Sequence, residues 1–308
     1  MVNVKGKRFL VTGGAGFIGS HTVDALLARG AKVAIVDNLS TGRKENVNPK
    51  AKFYRMNIAS PSLKNVFDKF RPEYVYHFAF HVLVPRSTED PLLDRDGIVG
   101  SVNLFKNCER NGVKKVVFSS SGFLYGNTAR LPARETEPLS FISPYIASKH
   151  AVENYLKVFN HLHGLPHVIF RYAAIYGPRQ ATGAMADYVR QLSKGKQAKI
   201  WGDGKKTRDY VYIDDVIRAN LLALGVPKNH PNPIFNVGTG VETSLNTLYR
   251  GIAKLLGKEA RPIYVPDRPG EQLRYALDAS KIRRELRWRP TVSLEEGLRR
   301  VIKSRNFA

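Results

Sequence analysis

Cysteine is almost absent from this chain: Cys108 is the only one among 308 residues. A single cysteine excludes an internal disulfide framework and favours a reducing compartment, where it would pack as a small hydrophobic residue. No apolar run is long enough to span a bilayer, so no membrane association is expected. The N-terminal stretch MVNVKGKRFLVTGGAGFIGS resembles a secretion signal, but glycines interrupt its apolar run. We therefore expect the chain to start on its first strand and to work in the cytoplasm.

Acidic residues are few relative to basic ones: 26 Asp and Glu stand against 49 Lys and Arg, a formal net charge of +23. Such an excess can attract nucleic acid or another anionic partner. However, the basic residues are spread along the chain in short pairs such as Lys114-Lys115 and Lys205-Lys206. The sequence has no Arg-rich arm, zinc-finger spacing or coiled-coil basic region. We expect an anionic small-molecule substrate, no nucleic-acid partner and no metal site.

Apolar runs alternate with segments of helical periodicity through the first half of the chain. Buried strands are predicted at RFLVTG, KVAIVD, EYVYHFA, KKVVFSS and HVIFRYAAIYG, and helices at FIGSHTVDALLARG, PSLKNVFDKF and across 103–110. Strands and helices that alternate in this way predict an α/β fold of the Rossmann type, which is a doubly wound parallel sheet with helices on both faces.

The pattern changes after Gly177. Short strands at AKIWG, PIFNVG and PIYV alternate with three helices and with many Pro and Gly turns. We expect a Rossmann domain over residues 1–173 and a smaller α/β domain over residues 174–308 that mainly binds substrate. Segments near 210–240 are expected to return to the first domain.

Three glycines follow the first predicted strand and open the first helix. Gly13, Gly16 and Gly19 form the pattern G-x-x-G-x-x-G. Glycines at these positions let the chain turn tightly, approach a pyrophosphate and pack the helix closely on the strand. The helix N-terminus then offers free N–H groups and a partial positive charge to the phosphates. The context predicts a dinucleotide-binding turn.

The second predicted strand ends at Asp37. A carboxylate there can accept hydrogen bonds from the adenosine ribose hydroxyls and would repel a 2′-phosphate, so NAD is expected rather than NADP. The alternative is a residue that only supports the turn in DNLSTG. Asn57 and Ile58, just past the third strand, are expected to flank the adenine.

Tyr145 and Lys149 lie four positions apart in SPYIASKH, on one face of a helix that starts after Pro144. A nearby ammonium and the positive ring of NAD⁺ favour the phenolate, so we expect the pKa of Tyr145 to move from about 10 towards neutrality. The phenolate can accept a proton from a sugar hydroxyl as hydride leaves its carbon. Ser121, at the end of the preceding strand, is expected to hydrogen-bond the same hydroxyl.

These motifs resemble the extended short-chain dehydrogenase/reductase family, in its nucleotide-sugar epimerase branch. The resemblance covers nearly the whole chain and rests on VTGGAGFIGSH, VDNLSTG, SSSGFLYG, SPYIASK, RYAAIYGPRQ, WGDGKKTRDYVYIDD and RPGEQ, in family order. It implies a Rossmann domain that holds NAD tightly, a C-terminal domain that binds the nucleotide sugar, and a homodimer built from two helices of each subunit.

The stretch SSSGFLYG contains no Asp, Glu or His. In the resembled family, members that dehydrate the sugar carry an Asp-Glu pair after the Ser/Thr, and members that decarboxylate it usually carry a Glu. Gly122 and Phe123 occupy these positions here. The resemblance therefore implies a 4-epimerase that interconverts UDP-galactose and UDP-glucose. In such a reaction hydride leaves C4, the 4-keto sugar turns over, and hydride returns to the other face.

The resemblance also assigns further residues to the site. Contacts with NAD are implied at Phe17, Ile18, Asn38, Ser40, Thr41, Gly42, Phe78, Ala79 and Tyr172. Arg208 and Arg268 are implied to clamp the diphosphate, and Tyr275 is implied to line the sugar pocket and to exclude N-acetyl sugars, unless it only packs its strand. The chain departs from the family pattern at Gly97 and at Ala174, where the family usually has Asn.

Two other functions stay open at this point. One is an epimerase or reductase that acts on another nucleotide sugar, because Ala174 changes a substrate-facing position. The other is a non-catalytic NAD-binding scaffold or sensor on the same fold. The intact pair of Tyr145 and Lys149 argues against that second alternative.

Overall fold

The structure is a computed structural model that describes residues 2–80, 84–128, 130–259, 261–267 and 272–304. The chain forms two compact units. The first comprises Met1–Leu124, Ser143–Arg171 and Ile217–Phe235, and the second comprises Tyr125–Ile142, Tyr172–Val216 and Asn236–Ala308. The segment Tyr125–Ile142 belongs to the second unit although it precedes residue 173, where the sequence-based boundary lies.

The strands of the described residues are short and numbered in chain order. They are β1 (Arg8–Thr12), β2 (Lys32–Asp37), β3 (Lys52–Arg55), β4 (Tyr74–His77), β5 (Lys115–Ser121), β6 (His167–Tyr172), β7 (Ala174–Tyr176), β8 (Lys199–Trp201), β9 (Thr207–Arg208), β10 (Tyr210–Tyr212), β11 (Ile234–Val237), β12 (Thr243–Ser244) and β13 (Ile263–Val265).

The helices carry most of the remaining regular structure. They are α1 (Phe17–Leu27), α2 (Leu63–Phe70), α3 (Val84–Glu89), α4 (Arg95–Arg110), α5 (Pro144–His163), α6 (Ala184–Ser193), α7 (Ile213–Ala223), α8 (Leu245–Leu255), α9 (Ser280–Leu286) and α10 (Leu294–Ser304). Within the described part of the chain, no helix combines the length and apolarity needed to cross a membrane.

The first unit is built on a seven-stranded parallel sheet in the order β11-β6-β5-β4-β1-β2-β3. This sheet confirms the predicted Rossmann-type fold. Its central strands are buried along their length, and every residue of β5 is inaccessible or nearly so, because helices cover both faces. The strand order reverses between β1 and β4, and a crevice at the carboxyl ends of the strands is expected at such a switch point.

Among its described residues, the second unit has three two-stranded sheets, which pair β10 with β7, β12 with β9, and β13 with β8. The prediction of one strand across HVIFRYAAIYG was wrong. The run breaks at Ala173, so that β6 joins the large sheet whereas β7 pairs with β10. The backbone hydrogen-bond partners change at this break. The Ala173 N–H donates to the carbonyl of Val237 on β11, and the Ala174 N–H donates to the carbonyl of Asp209, next to β10.

A buried carboxylate organises the loops of the second unit. Asp209 is fully buried and accepts hydrogen bonds from the N–H groups of Thr239, Gly240 and Leu277 and from the Thr239 hydroxyl. Burial raises the pKa of Asp209, and these four donors oppose that rise. The carboxylate therefore ties three separate chain segments together. Its burial is tolerated because these hydrogen bonds offset the loss of water.

Candidate active site

The turn between β1 and α1 requires glycine at two of its three predicted positions. Gly13 has a φ of +70°, and a Cβ there would lie 2.7 Å from the Ala79 nitrogen. A Cβ on Gly19 would lie 2.1 Å from the Gly13 carbonyl oxygen, so the helix can approach the turn only without a side chain. Gly16 has an extended backbone, and a Cβ there would meet only the Gly13 oxygen at 3.2 Å.

The N-terminus of α1 offers its N–H groups without competition from the chain itself. Gly16 is the N-cap, no side chain caps the helix, and its first turn contains no acidic residue. The first helical positions are Phe17 and Ile18, both partly exposed. An uncapped N-terminus after a side-chain-free turn suits a phosphate group, because its unpaired donors and the helix dipole both favour an anion.

Asp37 ends β2 beside this turn, and its carboxylate is held by the backbone. One oxygen accepts the Ala15 N–H at 3.0 Å and the other accepts the Leu39 N–H at 2.8 Å. A Cβ on Gly42 would lie 2.9 Å from both oxygens, so the loop passes directly over the carboxylate. Each oxygen keeps a second lone pair for an incoming donor.

The loop after β2 brings more of the predicted residues to the same edge. Asn38 accepts the Ser40 N–H in a local turn, and the side chains of Ser40 and Thr41 are exposed. These residues and Gly42 therefore line the approach to Asp37 from the solvent side.

Residues after β3 and β4 complete this edge of the sheet. Asn57 donates to the Asp96 carboxylate at 2.8 Å, which fixes its amide, and Ile58 is buried beside it. Phe78 and Ala79 follow β4 and lie against Gly13. Because all these strands are parallel, their carboxyl ends meet at one edge, and the structure brings the predicted cofactor residues of the first unit together there.

Tyr145, Lys149 and Ser121 meet at the carboxyl end of β5. Tyr145 and Lys149 lie on α5 and Ser121 is the last residue of β5, and all three are buried. Ser121 and the Tyr145 phenol share a hydrogen bond. The Lys149 amine donates to the Ser119 carbonyl at 2.7 Å, and its Nζ lies 5.9 Å from the centre of the Tyr145 ring.

Burial dominates the pKa values of Tyr145 and Lys149 in the protein without NAD. Burial raises the pKa of Tyr145, its hydrogen bond with Ser121 opposes this rise, and the charge of Asp94 adds to it. Burial also lowers the pKa of Lys149 from 10.5 to about 7, against the charges of Asp94 and Glu153. The protein groups alone therefore do not lower the pKa of Tyr145, because the ammonium is desolvated and bonded to a backbone carbonyl instead.

A buried ion pair supports α5 from below. The Glu153 carboxylate accepts two hydrogen bonds from the Arg171 guanidinium, at 3.0 and 2.8 Å, and one from the Ser120 hydroxyl at 2.5 Å. Both charged side chains are almost inaccessible. The pair ties α5 to β5 and β6, because one acid collects donors from both strands. This ion pair was not predicted, since a single Glu on a predicted helix carries no sign of burial.

Two further residues near the reactive pair were also missed. Phe80 packs its ring against Tyr145 and Lys149, and Asp94 is a buried carboxylate just before α4. Phe80 directly follows the predicted contacts Phe78 and Ala79 at the same strand end, which was an available signal. Asp94 lies in the turn-like run EDPLLDRD and gave none.

Two of the predicted substrate residues, Arg208 and Tyr275, lie in the second unit. Arg208 is partly buried, and its guanidinium donates to the carbonyls of Thr207 at 2.7 Å and Gln272 at 2.9 Å. Tyr275 is buried, and its hydroxyl donates to the carbonyl of Tyr172 at 2.8 Å. Arg268 lies outside the described residues.

The arrangement defines a class of protein: a dinucleotide-binding Rossmann fold that carries a serine, a tyrosine and a lysine at one strand edge. Residues 9–238 match the family described as NAD dependent epimerase/dehydratase. The match covers well over half of the chain, and the chain belongs to this family.

Individual relatives cover almost the full length of the chain. The UDP-glucose 4-epimerase of Mycolicibacterium smegmatis is 40% identical over 96% of this chain and 97% of its own. The crystal structure of the UDP-glucose 4-epimerase of Thermotoga maritima with UDP-glucose has 42% identity and a TM-score of 0.93, and covers 96% of this chain and 97% of that one. The Thermus thermophilus UDP-glucose 4-epimerase complex with NAD has 39% identity and a TM-score of 0.91, with 97% and 98% covered.

The first unit fits the NAD that this family uses, so the predicted cofactor is confirmed. The turn at Gly13 and Gly19 leaves space that a Cβ would fill, and the α1 N-terminus is uncapped. Asp37 is held in place with acceptor capacity left for ribose hydroxyls. These are the features that pyrophosphate and adenosine ribose require.

Proposed function

We propose that this protein is a UDP-hexose 4-epimerase that interconverts UDP-galactose and UDP-glucose with bound NAD. The observation that carries this proposal is the composition of the reactive edge. Ser121, Tyr145 and Lys149 are buried together there, and the residues that follow Ser121 are Gly122 and Phe123. This edge can exchange one proton and has no second acid beside Ser121 to expel a leaving group.

NAD, when bound, supplies the hydride acceptor for C4 of the sugar and the donor that returns it. The chain's own residues handle the proton. Tyr145 takes it from the 4-hydroxyl and later gives it back, so one group serves both directions of the reaction. Ser121 hydrogen-bonds the reacting oxygen, and its own orientation is set by the Phe123 N–H, which donates to its hydroxyl at 3.2 Å. Lys149 contributes positive charge when protonated.

The same composition argues against two related reactions. Dehydration needs an acid that protonates the departing hydroxyl, and an apolar Phe123 beside Gly122 cannot do so. The Phe123 N–H is already engaged with Ser121. We therefore favour simple inversion at C4 over elimination.

Arg208 is proposed to bind the diphosphate of the substrate. Two backbone carbonyls orient its guanidinium, which can then present N–H donors in the fork geometry that phosphate oxygens accept. Arg268 is proposed to share this role on the family pattern. Arg208→Lys should raise the KM for UDP-galactose more than it lowers kcat, because a point charge loses the bidentate bond.

The activity is tested by incubating the purified protein with UDP-galactose and measuring UDP-glucose. We expect conversion without added oxidant or reductant, and no conversion by the Tyr145→Phe variant. Reduction or oxidation of UDP-galactose that consumes NAD(H) in proportion would favour the reductase alternative. Retained NAD with no reaction on any nucleotide sugar would favour the scaffold alternative.

Tyr275 is proposed to limit the enzyme to sugars without an N-acetyl group. Its hydroxyl is anchored on the Tyr172 carbonyl, and its N–H donates to the Thr207 hydroxyl at 3.2 Å, so its phenol ring is held in place. Forcing extra atoms into a packed site costs about 1–3 kcal/mol, which is roughly a ten- to hundredfold preference. Ala174, smaller than the usual Asn, is the position that could relieve this limit.

The test compares kcat/KM for UDP-galactose and UDP-N-acetylgalactosamine. Tyr275→Cys should raise the relative value for the N-acetyl substrate, and Tyr275→Phe, which keeps the ring, should not. The ratio is the useful quantity, because the Cys variant also loses the bond to Tyr172 and some stability. Equal kcat/KM values for the two substrates in the unmutated protein would show that Tyr275 does not exclude the N-acetyl group.

We propose a homodimer that forms through α4 and α5, working in the cytoplasm. These two helices pack on each other and leave apolar side chains exposed: Val99, Tyr155, Val158 and Leu162. A second copy of the same face would bury them. Val158→Glu combined with Leu162→Glu should halve the mass measured by light scattering. Val241→Glu, at an exposed valine of the second unit, is the matched control and should leave the mass unchanged.

A further inference from the structure

Phe80 connects the two reactive side chains of α5. The Lys149 Nζ lies 4.0 Å from the centre of the Phe80 ring, and the Phe80 and Tyr145 rings meet edge to face with centroids 6.2 Å apart. We propose that Phe80 is a positioning residue that holds the Lys149 ammonium beside Tyr145, and that Gly97 is required because only glycine leaves room for the Phe80 ring. The importance of this position of Lys149 for catalysis rests on the proposed function.

The contact between Phe80 and Lys149 has the geometry of a cation–π interaction. An ammonium over the face of an aromatic ring within about 6 Å is attracted by the ring quadrupole, most strongly where water is excluded. Lys149 is buried, and Phe118 offers a second ring at 4.9 Å. The Ser119 carbonyl accepts one N–H from the amine, so a hydrogen bond and two rings fix the position of Nζ.

Gly97 on α4 lies against the same ring and leaves no space for a side chain of its own. A Cβ at this position would lie 2.7 Å from Cε2 of Phe80, 2.9 Å from Cζ and 3.0 Å from Cδ2. Any other residue would therefore push the ring away from Lys149. This explains the departure from the family pattern at position 97, because a bulky residue at 80 and a side chain at 97 exclude one another.

Several charged or titratable groups face Lys149. Asp94 lies in the segment Pro91–Asp94, which packs on α5; one oxygen accepts the Ser87 hydroxyl at 2.5 Å, and the other has no hydrogen-bond partner among the described residues. Glu153 is one turn further along α5 and is paired with Arg171. His77 on β4 faces the amine from the sheet, and burial together with the charge of Lys149 lowers its pKa to about 3.

Two opposing effects set the pKa of Lys149. Burial lowers its pKa to about 7, whereas the charges of Asp94 and Glu153 favour the ammonium. The face of the Phe80 ring favours the Lys149 ammonium and so raises its pKa. The same ring excludes water, which lowers that pKa. Replacing Phe80 by Leu keeps an apolar group of similar bulk and removes the quadrupole, so the variant isolates the cation–π contribution.

The experiment measures the titration of Lys149 through folding, without any activity assay. Because its pKa of about 7 lies below 10.5, the folded protein binds this proton more weakly than the unfolded chain. The unfolding free energy of the wild type relative to Lys149→Met therefore rises with pH above about 7. The same difference is measured in a Phe80→Leu background. Its rise should start about 0.5 to 1.5 pH units lower, as loss of one cation–π contact implies.

Two more variants separate the ring from general packing. Gly97→Ala leaves Phe80 in the chain but displaces its ring. The curve of this free-energy difference against pH should therefore move in the same direction, to lower pH. The double variant Gly97→Ala/Phe80→Leu should move it no further than Phe80→Leu alone, because both act through one contact. Phe67→Leu removes a ring from a buried site in the same unit and should lower stability without moving the curve.

An unmoved curve in Phe80→Leu, or additive effects of Gly97→Ala and Phe80→Leu, would overturn the proposal. If Phe80→Leu does not fold, Gly97→Ala with its own Lys149→Met reference decides the question by the same criterion. The result is independent of the substrate. Failure of the epimerase assay and failure of this inference can therefore be told apart.

Discussion

Tyr145→Phe should remove catalysis while leaving the fold intact. The substitution keeps the buried ring, and with it the edge-to-face contact with Phe80, and deletes only the hydroxyl that bonds Ser121. Loss of one such hydrogen bond costs about 0.5–1.5 kcal/mol of stability. Loss of a general acid–base group costs about 10²–10⁴-fold in rate, or roughly 3–5 kcal/mol of activation free energy. The effect on catalysis should therefore clearly exceed the effect on stability.

The assay follows UDP-glucose formed from UDP-galactose, together with the unfolding midpoint and the NAD content of each preparation. Tyr76→Phe is the matched control, because the buried Tyr76 hydroxyl donates to the Asn220 carbonyl at 2.8 Å, away from the reactive edge. This control should lose about 0.5–1.5 kcal/mol of stability, since it removes one buried hydrogen bond, and keep its activity. Ser121→Ala should lose less activity than Tyr145→Phe. Near-normal turnover by Tyr145→Phe would refute the assigned chemistry.

Three further outcomes are expected. The nucleotide released on denaturation should be NAD(H), because Asp37 would repel a 2′-phosphate; recovery of mainly NADP(H) would contradict this. Gly19→Ala should reduce NAD retention measured on the purified protein, because its Cβ would lie 2.1 Å from the Gly13 oxygen; unchanged retention would show that the turn adapts. Lys115→Met should lower the unfolding free energy by about 2–3 kcal/mol in denaturant titrations, because the buried amine donates to three carbonyls at and just beyond the end of α7. Burial lowers the pKa of Lys115 from 10.5 to about 8, so the stability of the wild type relative to this variant should rise with pH above about 8, and a flat difference would argue against a buried ammonium.

The alternation of apolar runs was enough to predict a parallel sheet with helices on both faces, because strands buried on both faces leave a strong local signal. Two details were hidden. The change of sheet at Ala173 lies inside one apolar run, and nothing local marks where hydrogen-bond partners change. α4 begins at Arg95 rather than near Asn103, since its polar first turn and its two glycines lack helical periodicity. Those glycines make sense only in three dimensions, where Gly97 faces Phe80 and Gly100 faces Ile58.

The proposed catalytic residues could be identified from the sequence because their proposed chemistry depends on side-chain type and short spacing, as in Tyr145 and Lys149. Their electrostatics could not be predicted. The pKa of each is set by burial and by Asp94, which lies about fifty residues away in sequence. Without NAD the pKa of Tyr145 is raised, because desolvation outweighs a neighbouring ammonium that is bonded to the Ser119 carbonyl. The lowered pKa expected with NAD⁺ bound stays a prediction.

In the proposed reaction, hydride leaves C4 and returns to the same carbon within one site. UDP-galactose that carries deuterium at C4 tests it directly, with the product analysed by mass spectrometry and NMR. We expect UDP-glucose with the deuterium retained at C4 and no net change in NADH. Product with solvent hydrogen at C4, or a stable keto sugar formed together with stoichiometric NADH, would contradict it.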